Sequence, residues 1–182
     1  KINVSTNTVT ATVNVGDEPR GVAFDGSHIW VTNYDDDTVS KINVSTNTVT
    51  ATVNVGDGPD GVGFDGSHMW VANDRDDTVS KINVSTNTVT ATVNVGFGPT
   101  GVAFDGSHMW VTNYDDDTVS TVIGSVSKIN VSTNTVTATV RVRFNPHGAA
   151  FDGSHMWVAN TSDRTVSKIN VSTNTVTATV NV

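Results

Sequence analysis

Four histidines recur in one sequence setting and are the first candidates for chemistry. Each follows an Asp-Gly-Ser tripeptide, and they are His28, His68, His108 and His155. Imidazoles repeated around an axis could hold a metal ion together. However, equivalent positions in successive repeats lie too far apart to share an ion unless they line the axis. Because Asp25 and Ser27 adjoin His28, we expect each histidine to close a turn and bind locally.

The fifth histidine, His147, lies outside this pattern and replaces residues of other types in the equivalent positions. It is therefore the histidine best placed for a specific contact. We still assign no catalytic residue, because a catalytic triad requires one asymmetric constellation, whereas Ser, His and Asp occur here in every repeat. The sequence contains no Gly-x-Ser-x-Gly, no phosphate-binding glycine loop and no His-Glu-x-x-His. We expect a protein that is not an enzyme.

Two acidic turns place oxygen atoms at alternate residues, as the first half of a calcium-binding loop does. The first runs Asn33-x-Asp35-x-Asp37, and the second ends in Asp115 and Asp117. Both turns lack the glycine and the closing glutamate of a complete loop. We expect solvated acidic loops and no cofactor, with weak Ca²⁺ binding by these four aspartates as the alternative. With no Cys in the chain, thiol chemistry and cysteine-based zinc sites are excluded.

These side chains are carried by a repeat of about 40 residues, a length typical of propeller blades and similar arrays. Residues 1–13 return unchanged from Lys41, Lys81, Lys128 and Lys168. One spacing is longer because residues 121–127 are inserted. We expect the insertion to enlarge the loop before the third strand, with a longer third strand kinked at Gly124 as the alternative. Four full periods and one partial period follow from this spacing.

Each period predicts four short strands and no helix. In the first full period the strands are 21–24, 28–32, 38–44 and 48–55. The dipeptide Asp25-Gly26 is a strong hairpin signal between the first two strands. The fourth strand alternates apolar and polar residues, which is typical of a half-buried strand. We expect the first two strands to be the most buried and the fourth to form the outer edge.

Four antiparallel strands in about 40 residues predict an all-β chain, a β-propeller of four-stranded antiparallel blades. One such sheet cannot bury both faces alone, so neighbouring blades must stack. The tryptophans at the repeat period, Trp30, Trp70, Trp110 and Trp157, are expected in the core between blades, with a stacking platform for sugars as the alternative. The predicted units are a half-blade 1–15 and the blades 21–55, 61–95, 101–142 and 148–182 in one array.

The repeat resembles a known family in three of its segments. These are Val31-Thr32-Asn33-Tyr34, the preceding Pro19-Arg20-Gly21-Val22-Ala23-Phe24, and the recurring Thr-Val-Ser-Lys-Ile-Asn run. They are similar to YVTN-type propeller repeats, which are related to the NHL and virginiamycin B lyase-like propellers. The resemblance implies the fold for the whole chain. It also implies a lyase as one alternative function, with His147 as the residue that could act there with a metal.

The count of strand pairs predicts about 4.5 blades in an open ring. Completing the half-blade within one chain would need an inner strand pair after Val182. We expect either a piece of a longer parent array or a homo-oligomer that assembles through the open blade edge. A structural protein that self-assembles in this way is the first alternative function.

The differences between copies fall in loops that a propeller places on one face. These loops are 17–20, 57–60, 97–100 and 144–147 together with 34–37, 74–77, 114–117 and 161–164. Diversity on one face of a constant scaffold is typical of a binding surface, although exposed loops also drift. The expected binding residues are Asp17, Glu18, Arg20, Tyr34, Asp57, Asp60, Asp74, Arg75, Phe97, Thr100, Tyr114, Phe144, Asn145 and His147. We expect a protein or glycan ligand.

The amino-acid composition excludes further classes of binding partner. The formal net charge is -8, which argues against nucleic acid and anionic membranes, since both require clustered Lys and Arg. The longest apolar runs are only a few residues, so we expect no insertion into a bilayer. Acidity, the absence of Cys and a surface rich in Thr and Asn favour an extracellular or periplasmic location.

Overall fold

The structure is a computed structural model that describes residues 1–114 and 123–182. It contains a two-stranded hairpin followed by four four-stranded antiparallel sheets. The hairpin strands are β1 (Ile2–Asn3) and β2 (Thr8–Val9). The first sheet consists of β3 (Pro19–Phe24), β4 (His28–Asn33), β5 (Thr38–Asn43) and β6 (Thr48–Asn54). The second consists of β7 (Pro59–Phe64), β8 (His68–Asn73), β9 (Thr78–Asn83) and β10 (Thr88–Asn94).

The remaining two sheets repeat this pattern. The third consists of β11 (Pro99–Phe104), β12 (His108–Asn113), β13 (Ser125–Asn130) and β14 (Thr135–Arg141). The fourth consists of β15 (Pro146–Phe151), β16 (His155–Asn160), β17 (Thr165–Asn170) and β18 (Thr175–Asn181). Within the described ranges the only helical segment is the single 3₁₀ turn Asp74–Asp76, and none there is long and apolar enough to cross a bilayer.

Each sheet keeps its strands in chain order, and the sheets stack about a common axis. The first strands of successive sheets, β3, β7, β11 and β15, contact one another and line that axis. The sheets are therefore propeller blades, numbered here one to four, and the β1–β2 hairpin stands where the outer half of a preceding blade would be. The predicted all-β, propeller-like fold of about 4.5 blades is confirmed.

Tryptophan forms the core between consecutive blades. Trp30, Trp70 and Trp110 are fully buried. In the first interface, blade one contributes Trp30, Val39 and Val53, and blade two contributes Met69, Val71 and Ile82. The placement of these three tryptophans between blades confirms the expectation, whereas Trp157 of the fourth blade is only half-buried.

The second and third strands are the most buried, which differs from the expectation that the first two would be. In blade two, β8 and β9 are almost entirely buried, while β7 is mostly half-buried. The cause is position within the sheet, because β7 is paired on one side only and forms the edge next to the axis. The fourth strand is the exposed outer edge, as expected.

Glycines allow the first strands of neighbouring blades to approach closely. A Cβ atom built on Gly61 would overlap the carbonyl oxygen of Thr100 and lie 3.0 Å from its carbonyl carbon. Gly21 and Gly101 meet the next blade in the same way. A Cβ on Gly148, at the equivalent place in blade four, would meet nothing within 4 Å.

The third strand of blade three has the same length and register as its counterparts. Ser125 pairs with Asn113, as Thr38 pairs with Asn33. Gly124 directly precedes the strand, and its carbonyl accepts from the Val142 N–H at 2.9 Å. The longer third strand considered above is therefore not found among the described residues. Residues 121 and 122 of the insertion lie outside them.

Candidate functional site

Four residues that differ between copies occupy equivalent positions around the axis. Arg20, Asp60, Thr100 and His147 are each the second residue of the first strand of a blade. Because these strands are neighbours, the four side chains start from adjacent points at one end of the axis. An otherwise constant scaffold thus carries a cation, an acid, a hydroxyl and an imidazole side by side. This end of the axis and the loops around it are called the variable face below.

The loops that lead into these positions share one backbone conformation. The residue before each proline has a positive φ, which is 50° for Glu18, 63° for Gly58, 58° for Gly98 and 52° for Asn145. Aspartates of the neighbouring turns brace two of these loops. Asp37 Oδ1 accepts from the Gly58 N–H at 2.9 Å, and Asp77 Oδ1 accepts from the Gly98 N–H at 2.9 Å. The variable side chains therefore stand on a constrained backbone.

An aromatic ring lies between two arginines where the first and second blades meet. The guanidinium carbon of Arg20 is 3.1 Å from the centroid of the Tyr34 ring, and that of Arg75 is 4.4 Å away. The Tyr34 hydroxyl donates to Asp74 Oδ2 at 2.7 Å. Burial raises the pKa of Tyr34, and the bond to Asp74 adds to this rise. Tyr34 is thus a neutral, fixed platform that holds both guanidinium groups by cation–π contact.

Carboxylates surround both arginines. Arg20 pairs with Glu18 at 2.7 Å and with Asp60 at 3.7 Å. Hydrogen bonding to Arg20 lowers the pKa of Glu18. Arg75 pairs with Asp35 and with Asp57, both at 3.3 Å. The variable face therefore carries a dense network of opposite charges next to the axis.

Asp60 is the acid of this network that is most withdrawn from water. Its side chain is 13% exposed. Burial raises the pKa of Asp60, and its electrostatic interactions with His147 and Arg20 only partly offset this effect. The influence of His147 comes from two blades away, so both side chains act at the shared axis. A partly buried carboxyl that pairs with an arginine at 3.7 Å can accept a hydrogen bond from a ligand.

The other predicted binding residues do not all join this cluster. Thr100 is buried, and its hydroxyl lies 3.0 Å from that of Thr112. Phe97 and Tyr114 are both exposed on the third blade. Phe144 and Asn145 are half-buried, and Asp17 is exposed. The structure thus joins residues of the first two blades by direct contacts, and it places His147 at the equivalent position of the fourth blade. The exposed aromatic residues of the third blade take no part in these contacts.

Residues that sequence reasoning did not single out support the site. Asp36 Oδ2 and Asp76 Oδ2 accept from the backbone N–H groups of Asp17 and Asp57, each at 2.8 Å. Thr32 donates to the carbonyl oxygen of Asp60 at 2.7 Å and so fixes the strand of the next blade. The sequence does show that an acidic residue recurs in every such turn, and this recurrence could have indicated a structural role. The groups that these residues bind become evident only from the folded arrangement.

The recurring histidines close turns, which confirms the expectation for them. Ser27 Oγ lies 2.8 Å from His28 Nδ1, and the His28 N–H donates to Asp25 Oδ1 at 2.6 Å. Asp25 also accepts from Trp30 Nε1 at 2.8 Å. Burial alone would raise the pKa of Asp25, but the hydrogen bonds from Trp30 and the turn lower it overall. The other three copies repeat these bonds.

The acidic turn of blade one directs its oxygen atoms to separate partners. The buried Asn33 amide donates to Thr38 Oγ1 at 2.9 Å, Asp35 pairs with Arg75, and Asp37 braces Gly58. In the described part of the chain no group of three or more His, Asp or Glu side chains could hold a metal ion. Asp115 and Asp117 of the second acidic turn lie outside the described residues.

Comparison with known proteins adds evidence on the fold alone. No family model and no curated protein matches the chain. Among solved structures it is similar to the hydrazine synthase of Kuenenia stuttgartiensis, with a TM-score of 0.80 and 18% sequence identity. The match covers 96% of this chain and 53% of that one, so the chain spans about half the length of that protein. At 18% sequence identity, this similarity is evidence for a shared propeller-like fold and for nothing further.

Proposed function

We propose that the chain is a non-catalytic binding scaffold whose variable face recognises a protein or a glycan. The observation that supports this most is the ring of Arg20, Asp60, Thr100 and His147 on a repeat that is otherwise nearly constant. Drift in unconstrained loops would scatter differences over both ends of the blades. Here the opposite turns, such as 25–28 and 45–48, recur almost unchanged.

The chemistry of the variable face suits a ligand with several hydrogen-bonding groups. Arg20 is anchored on Tyr34 and presents a planar donor array, while Asp60 and His147 offer an acceptor and a titratable ring nearby. Arginine and tyrosine, together with tryptophan, are the residue types most enriched among those that dominate binding energy at interfaces. Fixed side chains of this kind lose little conformational entropy on binding.

We further infer that the repeat is of the YVTN type. The run Val31-Thr32-Asn33-Tyr34 supports this, and its last three residues each have a structural role in the blade. Thr32 binds the next blade, the Asn33 amide bonds across its own blade, and Tyr34 forms the arginine platform. The same run returns in blade three.

A binding screen with matched variants tests the proposed function. The labelled chain is applied to a glycan array and a linear-peptide array, followed by titration of each hit. We expect Arg20→Ala and His147→Ala to weaken a genuine hit more than tenfold, or about 1.4 kcal/mol. Ser132→Ala, an exposed change on the opposite end of the blades, should leave affinity unchanged. No hit on either array, or equal loss in all three variants, would refute the proposal.

A further inference from the structure

The fourth blade exposes a face that the other three blades bury against a neighbour. Val53, Val93 and Val140 are each 5% exposed, whereas Val180 in the equivalent position is 46% exposed. Trp157 is likewise half-buried, while its three counterparts are fully buried. No described part of the chain packs on this face. It is therefore an apolar surface of the same composition as three internal interfaces.

A lysine contact recurs at each of those interfaces. Lys41 Nζ donates to Val84 O at 2.6 Å and to Asn87 Oδ1 at 3.0 Å in the next blade. Lys81 and Lys128 bond their next blades in the same way. Each lysine also lies over the tryptophan of its own blade, at 5.0 Å for Lys41 and Trp30. The charge is thus held between an aromatic ring and two oxygen acceptors.

Lys168 of the fourth blade is positioned for the same contact. Its Nζ lies 5.0 Å from the centroid of the Trp157 ring, and Trp157 Nε1 donates to Asp152 Oδ2 at 2.7 Å. Both values match those of the buried interfaces, where the corresponding distances for Trp110 are 5.0 Å and 2.7 Å. Among the described residues, Lys168 Nζ bonds no valine carbonyl or asparagine amide oxygen. The donor side of the interface is therefore preorganised.

The acceptor side of the same interface is present in the β1–β2 hairpin. Its turn has the geometry of the internal acceptor turns, with φ of 53° for Asn7 against 56° for Asn87. The Asn7 N–H donates to Asn3 O at 2.8 Å, as the Asn87 N–H donates to Asn83 O at 2.9 Å. Ile2 and Val4 are 64% and 87% exposed. Their counterparts in blade two, Ile82 and Val84, pack into the cluster around Trp30.

We propose that the fourth blade of one copy docks on the β1–β2 hairpin of a second copy. Lys168 Nζ donates to Val4 O and Asn7 Oδ1 of that copy, and Trp157 packs against its Ile2. The occupant is a second copy because the outer strands of the two surfaces repeat the pairing that is made at three interfaces within the chain. The contact is head-to-tail, so it either closes a ring or extends. Since each copy carries a net charge of -8, added salt strengthens the association by screening repulsion.

Light scattering coupled to size exclusion tests this contact across a dilution series. We expect the wild-type chain to exceed the mass of one copy, while Val4→Asp and Lys168→Met each elute as single copies. Val89→Asp is the matched control, because Val89 is 37% exposed on β10 of blade two, which belongs to neither surface, and this variant should still associate. Melting temperatures close to that of dilute wild type establish that the variants fold.

Mixing the two variants tests the head-to-tail geometry. The Val4→Asp chain keeps an intact fourth blade, and the Lys168→Met chain keeps an intact hairpin. An equimolar mixture should therefore form a species of two copies and nothing larger. A single-copy wild-type chain at all concentrations would overturn the proposal. Association that persists in both variants, or a mixture that stays at the mass of one copy, would overturn it equally.

Discussion

Adding one methyl group at equivalent glycines should have opposite effects in two blades. In Gly61→Ala the new Cβ would overlap Thr100 O and lie 3.0 Å from its carbonyl carbon, where about 3.4 Å or more is ordinary. Both atoms belong to backbone, so the strands β7 and β11 must separate. Overpacking of this kind costs about 1–3 kcal/mol. Gly148→Ala meets nothing within 4 Å, and the smaller entropy of its unfolded chain stabilises the protein by about 0.4–1 kcal/mol.

Urea unfolding followed by tryptophan fluorescence measures both free energies. The chain should be dilute, so that self-association adds nothing to stability. We expect the two variants to differ by about 1.5–4 kcal/mol, with a thermal midpoint difference of about 2–4 °C for each kcal/mol. Equal losses at Gly61 and Gly148 would refute the reasoning, because a general intolerance of alanine in this strand would then explain the result. A neutral Gly61→Ala would contradict the close approach of the strands.

Two further changes on the variable face have defined outcomes. Glu18→Gly should raise the free energy of unfolding by about 0.5–1 kcal/mol in urea, because Glu18 has a φ of 50° where the next blade has Gly58; a loss of stability would mean that the exposed pair with Arg20 outweighs the backbone strain. Asp60→Thr should stabilise the chain at pH 7, because the raised pKa of Asp60 means that its charged form destabilises the fold. That gain should shrink as pH falls through the raised pKa and vanish below the ordinary value of 3.8, so a gain that is independent of pH would contradict the assignment.

The sequence predicts the blades well because their signals are local. The Asp25-Gly26 turn is closed by bonds within four residues, and the alternation of the fourth strand follows from the geometry of one strand. The repeat then supplies the count of blades. Predicting these features does not require knowing which blades contact each other.

The arrangement of the variable face could not be predicted in the same way. Arg20, Tyr34 and Arg75 come from two blades, so their stacking depends on the angle and separation of whole sheets. The withdrawal of Asp60 from water depends likewise on its neighbours around the axis. The expectation that the first strand is among the most buried was wrong for a related reason, since strand pairing and blade stacking bury different strands.

The sameness of the outer hairpins has a consequence for folding. Residues 1–13 and their four copies pair in the same register wherever they lie, so no side chain within these copies identifies the blade to which it belongs. Only the length of the connecting chain favours the correct partner, and doubling a loop adds about 0.6 kcal/mol to its closure. Outer hairpins are therefore nearly interchangeable during folding, within one molecule and between molecules. The differences that distinguish the blades are concentrated in their inner halves and loops. These parts must therefore determine the position of each blade in the array.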